Sequence, residues 1–115
     1  MNQPKELVVL WTDDNMKTVE NMIFMYTYNS KKKEWWDNVT LIIWGSTTEL
    51  VVNNNKVRNK LKEMMEIGIK IRACKACAEN FNAVESLEEL GVDVLYIGKD
   101  LTGYLKDDNY KVLSL

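Results

Sequence analysis

Two residues of this chain carry chemistry by type and spacing together: Cys74 and Cys77, a CxxC. A thiol acts as a nucleophile only as thiolate, and a helix N-terminus stabilises that anion. The pattern predicts a strand over 69–73, with Cys74 at its end and a helix beginning near Lys75. Cys74 would then cap that helix and Cys77 would lie in its first turn. Both sulfurs would face the same dipole, close enough to oxidise to each other, with Lys75 and Arg72 adding positive potential. The plainer alternative is two small buried hydrophobes at helical spacing. A CxxC at a strand end in a reducing compartment favours chemistry over packing. A single pair without histidine does not complete a zinc site unless two chains share it.

Composition narrows the chemistry further. The 115 residues include no histidine, which excludes Ser-His-Asp and Cys-His mechanisms and every zinc site that needs imidazole. Lys and Arg number 15 against 17 Asp and Glu, a net charge of −2 that gives no electrostatic case for a nucleic-acid partner. A hydrophobic fraction of 46% with 28% charged residues is globular composition, and the length suits one domain over 1–115. The apolar run at 7–11 is too short for a secretory leader and is followed at once by acids. No apolar stretch approaches the ~20 residues of a membrane span. The expectation is a cytoplasmic protein with reduced thiols, no membrane contact and no cofactor.

Several other groups compete for attention. Asp13 and Asp14 follow the first strand, where paired acids can hold Mg²⁺ in a phospho-accepting receiver domain. That site also needs an aspartate at the end of the third strand, where this chain has Cys74, so helix capping is the better reading. Gly45 and Ser46, with Thr47 and Thr48, could form an anion-binding nest, but they lack the P-loop pattern and read first as a cap. Lys31 to Lys33 beside Trp35 and Trp36 read as a solvated helix end with a packed loop.

The elements that must position these residues alternate along the chain. Short apolar runs at 7–11, 39–44, 69–73, 92–97 and 110–115 read as strands, the first two buried on both faces. Helical spacing occupies 16–29, a segment after the Ser46-x-x-Glu49 capping box, 55–67 up to Gly68, 75–82, 84–90 up to Gly91, and 101–105. Strand–helix alternation of this kind means an α/β fold, a three-layer α/β/α sandwich around a mostly parallel five-stranded sheet. Ligands in such folds collect outside the C-terminal strand ends, which nominates 12–15, 45–48, 74–77 and 98–102. Over 22–28 the first helix is apolar nearly all round. Met16, Val19, Met22, Ile23 and Tyr26 are expected to face inward, leaving Phe24, Met25 and Tyr28 for a second copy of the chain.

Three segments resemble the DsrE-like group of small sulfur-relay proteins: VTLIIWG at 39–45, LKEMMEIGIKIRACKACAENF at 61–81, and GVDVLYIGKDLTGYLKD at 91–107. The middle one is the most specific, joining helix, glycine stop, strand and terminal cysteine in the family's order, and Gly98 with Leu101 and Thr102 stands in the family's usual place. The resemblance implies a DsrEFH-like three-layer fold and assembly into dimers, trimers or hexamers. It also implies a sulfurtransferase-type persulfide carrier, Cys74 exchanging sulfane sulfur with donor and acceptor proteins. A neighbouring Cys77 can act as resolving thiol, attacking the persulfide, expelling sulfide and closing a disulfide. Gly45, Ser46, Lys75 and Gly98 are the expected supporting residues. The alternative is a non-catalytic oligomeric module whose CxxC senses redox state or binds metal. Thioredoxin-type activity lacks its usual context, because Pro4 is the only proline and precedes the first strand.

Overall fold

A computed structural model describes residues 4–115; the first three residues of the segment read above as no leader lie outside it. The element order is β1 (Glu6–Trp11), α1 (Met16–Thr18), a π-helical turn (Val19–Ile23), α2 (Phe24–Lys32) and β2 (Asn38–Ile43). There follow α3 (Thr47–Asn53), α4 (Asn55–Glu66), β3 (Lys70–Cys74), α5 (Lys75–Asn80), α6 (Val84–Leu90), β4 (Asp93–Leu95), α7 (Gly98–Lys106) and β5 (Tyr110–Ser114). The five strands form one sheet in the order β4-β3-β2-β1-β5, and every pairing is parallel.

That order dictates how the helices divide. From β1 to β4 the chain steps along the sheet in one direction, and right-handed crossovers place each connection on the same face. Leu7, Val9, Trp11, Val39, Leu41, Ile43, Ile71 and Ala73 accordingly form one core with residues of α2, α3, α4 and α6. The return from β4 to β5 crosses back over three strands, so α7 lies on the opposite face. Val8, Ile42, Cys74 and Ile97 form a smaller cluster there, with Leu101 and Tyr104 of α7 packed on it. The sandwich has three layers, one thick and one a single nine-residue helix.

The first helix departs from the expected face. Phe24 N–H bonds to Val19 O, a wider turn than the α-helix, and this inserts one residue into the helical repeat. Phe24, expected outside, is 3% exposed and meets the Trp11 ring edge-on at 4.9 Å. Met22, expected inside, is 41% exposed, while Met25 is 53% exposed as its spacing predicts. Two small side chains, Thr27 and Ser30, complete the buried face and allow α2 to lie close on the sheet.

Candidate active site

The C-terminal edge of the sheet is built by side chains that close the strand ends. Asn15 accepts hydrogen bonds from the N–H groups of Lys17 and Thr18, and Asp13 Oδ1 accepts one from Asn15 N–H. Capping and turn formation therefore account for Asn15 and Asp13. The expected Ser46 capping box does not form, since Ser46 makes no side-chain cap bond. Its neighbour Thr47 takes the structural role. The Thr47 hydroxyl lies 3.0 Å from Trp11 O and 2.9 Å from Trp44 O and accepts from Trp44 N–H, tying the ends of β1 and β2 together. Gly45 turns the chain there with φ at +71°, a conformation that favours glycine.

Cys74 ends β3, and its backbone is extended as the N-cap of α5, as the spacing predicts. Register pairs it with Leu95 of β4, and one residue earlier pairs Ala73 with Ile43, so Trp44 follows on the β2 side. The strand's period of two puts Cys74 on the α7 face, where it is 5% exposed. Cys77 is half-buried at the margin of the same apolar cluster, in the company of Leu10, Trp44 and Leu101. Both thiols are free.

The electrostatic expectation for Cys74 is reversed. Burial among apolar side chains pushes its thiol above the ordinary 9.0. The backbone amides of Cys77 and Ala76 pull the other way but do not overcome it, and the Cys77 thiol adds to the rise. No side-chain cap bond forms at Cys74 to hold the anion. The two cations expected to help are engaged elsewhere. Lys75 Nζ sits over the Tyr96 ring at 5.3 Å from its centroid. Arg72, on the same sheet face two residues before Cys74, pairs through Nε with Asp93 at 3.2 Å and through Nη1 with Asp100 at 3.3 Å. It also donates to the Tyr104 hydroxyl at 2.9 Å, so its charge fastens α7 and β4 to β3.

Three features around the cysteines escaped the sequence reading. The Arg72 cluster joins residues 28 and 32 positions apart, a separation no local spacing reveals. Tyr96 spans α5 from outside, donating to Glu79 Oε1 at 2.8 Å while Lys75 covers its ring. Trp44 was read only as a strand terminus, although strand pairing sets it beside Cys74. The alternation of Lys70, Arg72 and Cys74 against Ile69, Ile71 and Ala73 was the signal that Cys74 would lie on the face away from the main core; its cover by α7 comes from the topology. Gly98, the remaining supporting residue, is the first residue of α7, and its carbonyl accepts from Thr102 Oγ1. Among the described residues no group of three or more His, Cys, Asp or Glu could hold a metal ion.

A solved structure of similar shape exists. It is the conserved protein of unknown function BT1422 from Bacteroides thetaiotaomicron, 43% identical, with a TM-score of 0.92 over 96% of this chain and 95% of that one. The chain belongs to that protein's family. No family model matches the sequence, and no curated protein does. Membership in this family fixes the architecture of nearly the whole chain and leaves its chemistry to be argued from the residues. No described helix is long and apolar enough to cross a membrane.

Proposed function

We propose that this domain is a small sulfur-relay protein whose Cys74–Cys77 pair receives sulfane sulfur as a persulfide from a donor protein and yields it to an acceptor thiol. The observation that carries this reading is the pair itself: two free thiols, one at the N-cap and one in the first turn of a helix, at the C-terminal end of an interior parallel strand. Chemistry on parallel sheets gathers at that end. The chain has no histidine to support hydrolytic or imidazole-based alternatives, and persulfide transfer needs none. The DsrE-like resemblance of 61–81 supports the same assignment from the sequence side.

The cellular setting that suits the reading is the cytoplasm, where the pair stays reduced and competent to accept sulfur. Assembly with further copies of the chain suits it too, through the outer face of the first helix. Metal binding by the pair would require ligands from a second chain, since two thiolates fill half of a tetrahedral site.

The test is transfer in two stages. Reduced protein is loaded with labelled sulfane sulfur from a persulfide donor, freed of excess donor, and offered an acceptor thiol. The wild-type chain takes up label and passes it on, and a Cys74→Ser/Cys77→Ser double variant takes up none. Uptake by the double variant equal to wild type would sink the proposal.

A further inference from the structure

The two thiols are not equivalent in access. Cys74 is enclosed by Val8, Ile42 and Ile97 beneath α7, whereas Cys77 is only partly buried, in the first turn of α5 at the border of that cluster. Sulfur transfer requires the attacking thiolate to line up with the donor's S–S bond, so a bulky donor must reach the thiol that meets solvent. Burial also makes Cys74 the poorer thiolate, since its proton is held more tightly than in an exposed thiol. The sequence and its resemblance assign the first step to Cys74. The arrangement of burial favours the other order.

We propose that incoming sulfane sulfur lands on Cys77 and that Cys74, from beneath α7, discharges it as sulfide when no acceptor intervenes, closing a Cys74–Cys77 disulfide. This rests on the sulfur-relay reading and sets the order of its steps. In the first step the Cys77 thiolate attacks the outer sulfur of the donor persulfide. A new S–S bond forms on Cys77, the donor S–S bond breaks, and the donor thiolate leaves with the electron pair. In the second step Cys74 loses its proton and attacks the inner sulfur, that of Cys77. Hydrosulfide leaves with the electron pair and takes up a proton. The sulfane sulfur has gained two electrons, and the two thiols have lost them. A dithiol reductant reopens the pair by exchange and becomes a cyclic disulfide. Loading is thereby self-limiting: a chain that has discharged its sulfur accepts no more until a dithiol resets it.

The order is read with the full chain and glutathione persulfide as the donor, following intact mass and released sulfide. Wild type ends as the disulfide with sulfide released. Cys74→Ser keeps a one-sulfur increment on Cys77 and releases no sulfide. Cys74→Ala repeats that result while keeping the enclosure apolar, which separates loss of the thiol from damage to the fold. Cys77→Ser loads at least about tenfold more slowly, because the remaining thiol is enclosed. Loading of Cys77→Ser as fast as Cys74→Ser overturns this order alone. Absence of sulfur on every variant overturns the relay reading and the order with it.

Discussion

At the scale of single residues, the site turns on a competition at one sulfur. A helix N-terminus favours thiolate, an apolar enclosure opposes it, and at Cys74 the enclosure wins. The consequence is a specific pH dependence. The folded chain holds the Cys74 proton more tightly than the unfolded chain does. The thiol therefore costs no stability below its ordinary 9.0 and begins to cost some only as the pH climbs past that value. Reactivity follows the same sign. In a Cys77→Ser chain, alkylation of Cys74 by iodoacetamide rises about tenfold per pH unit through neutrality, in proportion to the thiolate fraction. It continues to rise past 9.0 without levelling. A plateau near neutral pH would mean that the amides of Ala76 and Cys77 govern the sulfur after all.

At the scale of elements, a single inserted residue decides which side of the first helix enters the core. The π-helical turn at Val19–Ile23 hands the buried position to Phe24 and leaves Met22 and Met25 outside. Phe24→Ala is expected to cost about 3–5 kcal/mol in denaturant unfolding, because it empties a site against Trp11. Met25→Ala, compared at a concentration where the chain is monomeric, is expected to change stability by less than about 0.5 kcal/mol. Similar losses from both would mean that the helix keeps an ordinary repeat. The strands were legible because parallel strands buried on both faces read as continuous apolar runs, as at Val39 to Ile43, and Gly68 and Gly91 marked where helices stop. The π-turn was not legible, since the nearly all-apolar segment that follows it, 22–28, fits either repeat. Nor was the extent of α7, read as 101–105, since nothing in the sequence marks Gly98 rather than Leu101 as its first residue. The position of the cysteine pair followed from the pattern. Its charge environment did not, because the partners that occupy Arg72 arrive from β4 and α7 through tertiary structure.

At the scale of the whole molecule, the one-directional stepping from β1 to β4 loads one face with helices and leaves the other to α7. The cysteine pair sits on the thin side, at the end where all five parallel strands terminate. The thick side carries the surface that calls for a partner. Met22 and Met25 lie one turn apart on the outer face of the first helix, and Trp35, 55% exposed, stacks at 6.0 Å on Tyr26 beside them. Apolar surface of this kind, with no covering element among the described residues, suits a second copy. Because that face and the cysteine edge belong to different parts of the fold, the proposed association and the proposed sulfur chemistry can be tested separately. Sedimentation of the wild-type chain at micromolar concentration is expected to give a species heavier than the monomer. Met22→Glu/Met25→Glu is expected to return it to the monomer, since burying two carboxylates in an apolar contact is strongly unfavourable. The same double variant should keep iodoacetamide reactivity at Cys77 within about twofold of wild type, because its substitutions lie on the far side of the sheet. A wild-type chain that sediments as a monomer would remove the case for this surface as a contact between copies and would leave the chemistry of the pair untouched.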